Sequence, residues 1–301
     1  MTDGLHPGIN ARTETGPAPR EERFCKPAQS EDFGIIQKPL SRWEQIYENN
    51  VARKVFILVM LAVAWQFYSM YLDNELLFPT FIATVKALVV AILDRGLLEK
   101  SWFSIRVLLM GYAAGLFLAA LLTIFAITSR LGRDFLETAT AMFNPLPAIA
   151  LLPLALLWFG LGTDSLVFVL IHSVLWAVAL NTHSGFQSVS ATLRMVGRNY
   201  GLTGLRYVFG ILIPAAFPTI LAGLKIGWAF AWRTLIAAEL VFGVSSGSGG
   251  LGWFVYENKN QLDIPSVFAG LLTVIVIGLI VENFIFRVIE QKTIRKWGMQ
   301  Q

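Results

Sequence analysis

Residues Ser190 to Leu224, SATLRMVGRNYGLTGLRYVFGILIPAAFPTILAGL, form the longest polar interruption between two strongly apolar runs of the chain. The stretch carries Arg194, Arg198 and Arg206 and no acid, and it passes without a break into Pro214 and Pro218 at the mouth of the next apolar segment. Positive charge beside a membrane span marks the cytoplasmic side. The stretch therefore reads as a cytoplasmic loop, about residues 185–213, with room for a short helix outside the bilayer. A connection of that length without function is unusual. Its expected use is as the place where another protein pushes.

Working outward, the composition supports a membrane setting. The 301 residues are 55% hydrophobic and 15% charged, against about 25% charged in an ordinary soluble domain, and the mean hydropathy is +0.60. A net charge of +4 is modest and gives no footprint for nucleic acid, because the basic residues cluster at the ends of apolar runs. The single Cys25 lies in a polar tail, so no internal disulfide forms. No secretory signal is expected, since no basic n-region precedes an apolar core and the first apolar run starts near residue 55.

Residues 1–40 are polar and rich in Pro, Gly, Glu and Arg, and read as a disordered cytoplasmic tail. The membrane domain then occupies 41–301, entered by an interfacial helix on which Trp43, Ile46, Tyr47 and Val51 recur at helical spacing. An all-α fold of six spans is expected: Val55–Leu72, Ile105–Ile127, Thr138–Phe159, Leu166–Asn181, Ala215–Val241 and Val267–Val288. Thr80–Leu93 is amphipathic and too short to span, and is placed as an external helix. Gly111 and Gly115 sit four apart among alanines, a pattern that permits close helix contact in lipid. Arg130, Arg133, Asp134 and Glu137 read as a short cytoplasmic turn. Pro145, Pro147 and Pro153 must kink or break the third span, which in a membrane is tolerated where the break lines a cavity or is buried in protein. Gly160, Gly162 and Asp164 read as a tight external turn, and residues 243–264 as a Gly/Ser-rich external loop.

With both ends inside, the cytoplasmic flanks carry Arg42, Arg53, Lys54, Arg130, Arg133, Arg194, Arg198, Arg206, Arg287, Lys292, Arg295 and Lys296. The external side carries Lys86, Arg95, Lys100, Lys259 and, at the edge of the second span, Arg106. That asymmetry sets the orientation.

The central loop resembles the cytoplasmic loop of binding-protein-dependent ABC importer permeases, whose pattern is E-A-A, three residues, Gly, nine residues, Ile, one residue, Leu-Pro. Gly201, Ile211 and Pro214 stand at the required offsets, with Ile213 in place of Leu. The E-A-A triplet is replaced by Met195, Val196 and Gly197, so the acid is absent, and Arg194 and Arg198 stand beside it. Three further stretches resemble the nitrate, sulfonate, taurine and bicarbonate branch of these permeases: Asn144 to Gly162, Ile213 to Gly227 and Ala237 to Gly252. The resemblance covers about residues 40–298. It implies a type I importer permease of the bacterial inner membrane, with N- and C-termini cytoplasmic. It also implies a loop helix seated in a cytoplasmic ATPase, an extracytoplasmic substrate-binding protein, and a second permease copy as a homodimer. No cofactor is expected on this chain, ATP and Mg belonging to the partner ATPase. The Gly-rich run Gly243 to Gly252 lacks the Gly-Lys-Ser/Thr of a phosphate cradle.

Lys225, Arg233 and Glu239 are ionisable residues inside the fifth span, where charge tends to face a cavity or a partner. With Trp232 they are the candidates for the translocation path, and Lys225 or Arg233 would lend positive potential to an anion route. Lys225 and Glu239 stand about 21 Å apart along one helix and cannot pair within it. The alternative for each charge is snorkelling or an ion pair between helices. His172 and His183 are about 16 Å apart along their helix, too far to share a metal ion, and each is expected in structural hydrogen bonding. Trp158, Trp176, Trp228, Trp232 and Trp253 could stack on a substrate, but packing or interface anchoring is the expected role. The competing classes are a secondary transporter or channel not powered by ATP, and an intramembrane enzyme. No internal repeat supports the first. For the second the nearest group is His183 with Ser184, adjacent positions that diverge on a helix.

Overall fold

A computed structural model describes residues 50–242 and 249–295. The chain divides into residues 1–57 and residues 58–301. Of the first unit only the opening turns of one helix fall within the described residues; the tail of residues 1–40 and the interfacial helix around Trp43 lie outside them. The helical bundle belongs to the second unit.

The described residues form helices without strands. We label them α1 (Asn50–Leu72), α2 (Phe81–Asp94), α3 (Leu97–Thr128), α4 (Arg130–Phe143), α5 (Leu152–Phe159), α6 (Thr163–Gln187), α7 (Ala191–Asn199), α8 (Gly204–Tyr207), α9 (Ile213–Phe242), α10 (Leu251–Asn260), α11 (Ile264–Ile280) and α12 (Arg287–Glu290). Five stretches are long and apolar enough to cross a membrane: Val51–Leu72, Leu97–Thr128, Thr163–Gln187, Gly204–Val241 and Ile264–Ile294. The pair Arg130–Phe143 and Ala148–Phe159, bent by 88°, makes a sixth if counted as one span.

The core is α6, packed on α9 to one side and on α3 to the other. Small residues set the spacing. A Cβ on Gly115 of α3 would lie 2.7 Å from Val174 Cβ, and one on Gly227 of α9 would lie 2.9 Å from Val178 Cγ2. Both valines are on α6, so a larger residue on either neighbour would push the helices apart. The apolar faces turned outward, such as most of α1, suit lipid, where no hydrophobic penalty attaches to exposure.

Four expectations need correction. The turn expected at Arg130–Glu137 is the first half of α4, capped by the Ser129 hydroxyl accepting from the Gly132 amide. Its charges fall three or four apart, which suits a helix with a polar face better than a turn. The break in the third span comes at Asn144–Pro147; Pro153 instead sits in the first turn of α5, where its missing N–H costs nothing. Much of the loop expected at 243–264 is α10, although residues 243–248 lie outside the described residues.

The central loop is also shorter than the 185–213 expected. Helix α6 runs to Gln187 and α8 begins at Gly204, so Ile211 and Pro214 belong to the fifth span. A π-turn over Val208–Leu212 joins α8 to α9, with the Ile213 amide bonding to the Val208 carbonyl. Pro214 cannot donate to the residue four back and would crowd that carbonyl in a regular helix. The wider turn just before it is where such a mismatch is absorbed.

Candidate functional site

Two regions carry the chemistry: the loop helix α7 and a cavity at the break between α4 and α5.

Helix α7 opens on Ser190, whose hydroxyl accepts from the Leu193 amide at 3.4 Å. It closes on Gly201 at φ +66, with the Leu202 amide bonding to the Gly197 carbonyl (3.0 Å) and the Gly201 amide to the Arg198 carbonyl (2.9 Å). This paired pattern is a Schellman stop, which needs a left-handed residue at the Gly201 position. Gly204, also at positive φ, completes the corner into α8. Gly197 is buried against α8 and the π-turn: a Cβ there would lie 2.8 Å from the Tyr207 ring and 3.1 Å from Ile211 Cγ1. The third place of the loop triplet is therefore held small by packing.

Arg194 is committed to structure. Its guanidinium donates to the Phe186 carbonyl at 2.6 Å and to the Val189 carbonyl at 3.1 Å, covering the end of α6, where cations are favoured. Helix α7 is thus tied to α6 by Arg194 and to the fifth span by Gly197. Leu193, Met195, Val196, Arg198 and Tyr200 remain exposed, an apolar and basic surface on the loop. Arg206, on α8, is exposed beside it.

The cavity, about 360 Å³, is lined by the Phe143–Ile149 break, by His172, Ser173 and Trp176 of α6, and by Phe230, Arg233, Thr234 and Ala237 of α9. Phe143 stacks on Trp176 with ring centroids 5.2 Å apart. The Ser173 hydroxyl donates to Thr234 Oγ1 at 3.1 Å. Arg233 donates through Nε to the Ala229 carbonyl and lies over the Phe230 ring; among the described residues no carboxylate pairs with it. Both nitrogens of His172 and Nε1 of Trp176 are buried without a hydrogen-bond partner.

Of the four path candidates, Arg233 alone lines this cavity. Lys225 donates to Glu290 at 2.7 Å and lies 4.0 Å from Glu282, the interhelical ion pair that was the alternative for it. Trp232 is buried at 7% exposure in the core. Glu239, 2% exposed, is a latch between helices: it accepts from the Ser104 hydroxyl (2.8 and 2.9 Å to its two oxygens) and from the Gly252 amide (2.8 Å). The same Ser104 oxygen accepts from the Leu251 amide at 2.8 Å. Gly250 lies so close to Glu239 and Ser104 that a Cβ has no room. The start of α10 is thereby fastened to α3 and α9.

Residues at and just beyond the ends of the spans form a second fastening. Arg95 donates to Asp263 (2.6 Å) and to Ser266 (3.0 Å), while Lys100 donates to Glu257 (2.9 Å). Burial alone would raise the Asp263 carboxyl, but hydrogen bonds from Arg95 and Ser266, with the Arg95 charge, outweigh it and hold the group below its ordinary 3.8. His183 Nε2 is 2.9 Å from the Gln187 side chain, as structural bonding requires. His172 departs from that expectation. It lines the cavity with Trp176, for which packing or anchoring was expected, and their positions four apart on one helix face were a usable signal.

A multi-pass bundle with a helix broken over a cavity and an exposed, braced loop helix is an architecture suited to a membrane transport protein. The chain belongs to the family of binding-protein-dependent transport system inner membrane components, which matches residues 111–295, more than half of it. It is thus an ABC importer permease, a transport component and not an enzyme. It is similar to a putative ABC transporter permease of Methanocaldococcus jannaschii, 28% identical over 82% of this chain and 93% of that protein. It resembles the nitrate import permease of a Synechocystis strain at 28% identity over 80% and 88% of the two chains. The taurine transport system permease of Escherichia coli is 27% identical over 75% and 82%.

Proposed function

We propose that this permease carries a small anion across the cytoplasmic membrane, past Arg233, and that a separate ATPase drives the movement by gripping α7. The observation that carries the anion assignment is Arg233 itself. It is a cation within a span, at the wall of the cavity, without a carboxylate partner among the described residues. Its side chain is exposed, and an unneutralised charge within a span tends to face a water-filled path or a ligand. The names of the similar permeases, for nitrate and taurine, agree in charge or in an acidic headgroup. Bicarbonate and other sulfonates belong to the same chemical set.

The coupling assignment rests on the exposed Leu193, Met195, Val196 and Tyr200 of a helix braced on its other side by Arg194 and Gly197. A lever must be rigid where it meets the span and sticky where it is gripped, and α7 satisfies both. Nucleotide and Mg would bind the ATPase, a substrate-binding protein would dock outside, and a second copy would complete the path. The positive-inside count supports a cytoplasmic side for both termini and α7. Site-directed cross-linking tests the grip: cysteine at Met195, in a background with Cys25 replaced by Ser, is expected to capture an ATPase subunit. Failure at Met195, Val196 and Tyr200 alike would overturn the coupling assignment.

A further inference from the structure

We infer that this chain holds an anionic phospholipid of the leaflet on the side of the central loop. One acyl chain lies in an apolar slot between α3, α6 and the start of the fifth span, and the phosphate head lies beside Arg133 and Arg206. The site is separate from the cavity at Arg233 and from the exposed surface of α7.

The slot has a volume of about 280 Å³. Its walls include Leu116, Ala120 and Ile124 of α3, Val178 of α6, and Phe209 and Ile213 of the fifth span. Thr123 and Thr182 also line it, and the Thr123 hydroxyl is already donated to the Ala119 carbonyl at 2.7 Å. All of these residues fall inside segments long and apolar enough to cross a membrane. An apolar cavity of about 150 Å³ stays dry and takes a benzene-sized guest, so this one has room for a length of hydrocarbon. In a bilayer the hydrocarbon at hand is acyl chain. Ala120 and Phe209 are exposed at the walls, so the slot adjoins the outer surface of the bundle.

A second space, of about 450 Å³, continues the first: Ile124, Phe186 and Val208 line both. It sits where the spans end, for Thr128, Gln187 and Gly204 in its wall are terminal residues of three of them. Its charge is basic. Arg133 lines it, is exposed, and has no side-chain hydrogen bond or ion pair among the described residues. Arg194 lines it too, adding charge although its guanidinium is bonded to backbone carbonyls. Arg206 is exposed between Leu205 and Tyr207, both in the wall. No Asp or Glu lines the space; Glu137 lies 3.9 Å from His183 without doing so. Basic residues at a membrane surface attract anionic lipid. Positive charge where the spans end, with a hydrocarbon slot leading from it into the bilayer, complements a phospholipid, whereas free phosphate would leave the slot unfilled. Val208 and Phe209 belong to the π-turn, so the chain rests against the joint that carries α8 into α9.

The test is photolabelling of the full chain in phosphatidylcholine nanodiscs containing a rising fraction of phosphatidylglycerol with a diazirine on its acyl chain, read by peptide mapping. Labelling at residues 116–124 and 208–213 should saturate at a low fraction. Labelling of α1, whose outward face meets bulk lipid, should rise in proportion to the fraction. Arg133→Gln should raise the half-saturating fraction about fivefold, the share of one charge near the membrane surface. Ala120→Phe fills the slot from an exposed position with every arginine in place, and should abolish the saturable component. A phosphatidylcholine probe should label in proportion throughout, and inorganic phosphate should displace nothing. Several results would each overturn the inference: proportional labelling or none at 208–213 in the unsubstituted chain, the latter as when a second copy covers the slot; a phosphatidylcholine probe that saturates equally; displacement by inorganic phosphate, which would make the basic space a free-anion site; or saturation unchanged in Arg133→Gln or Ala120→Phe. Cross-linking at α7 and uptake past Arg233 are read separately, so this site and the importer mechanism fail independently.

Discussion

Removing the Ser104 hydroxyl should loosen the start of α10 more than altering Glu239 does. Ser104→Ala loses the donor to a buried carboxylate, a charge-assisted bond of about 1.5–3 kcal/mol. It also strips the Leu251 amide of its acceptor, and an orphaned buried N–H adds about 1–3 kcal/mol. Taken at the lower end, about 2.5 kcal/mol of local docking free energy disappears, or about seventyfold in the opening equilibrium. Glu239→Gln is milder. The glutamine carbonyl can still accept from Gly252 and its amide can donate to Ser104, so charge assistance is the main loss, about 1 kcal/mol and about fivefold. Amide hydrogen exchange in nanodiscs at Leu251 and Gly252 reads both, since local opening sets the rate. Exchange in Ser104→Ala within about threefold of the unsubstituted chain, or a larger change in Glu239→Gln, would refute the latch, because either result contradicts the bond count it rests on.

Gly201→Val places a β-branched residue at φ +66 and should cost about 1–2 kcal/mol of local order. The α7 corner would shift, and ATP hydrolysis by the assembled complex should continue with uptake reduced; equal loss of both, measured in proteoliposomes, would count against a lever role. Asp263 predicts a pH effect. Its folded value is depressed, so the stability it adds is fully present above its ordinary 3.8 and is lost as pH falls through the folded value. Exchange at the α10–α11 turn should therefore quicken in strong acid, and Asp263→Asn should flatten that dependence; identical profiles would show that the Arg95 contact fastens nothing.

Much of the architecture was legible because the bilayer makes it so. A span needs about twenty apolar residues, and Val55–Leu72 or Leu166–Asn181 could be little else. Edges were less legible, since Thr163 and Gln187 continue their helix past the apolar run, where hydropathy sets no limit. The Gly/Ser run before α10 drew attention from LGWFVYENKN, whose helix is secured by distant Ser104 and Glu239. In the site, Arg233 could be singled out by charge alone. Which of Lys225 and Arg233 is neutralised depended on Glu290, 65 positions away from Lys225, and no local pattern encodes that. Arg194 was named as a basic residue of the loop, and composition could not reveal that its partners are backbone carbonyls.

The most direct test of the central claim is uptake into proteoliposomes holding this permease with its ATPase and binding protein, with labelled anion outside and ATP within. An ATP-driven anion importer working past Arg233 should show accumulation that requires hydrolysable ATP and falls sharply in Arg233→Gln. Accumulation by the permease alone, down or against an ion gradient and indifferent to ATP, would contradict it.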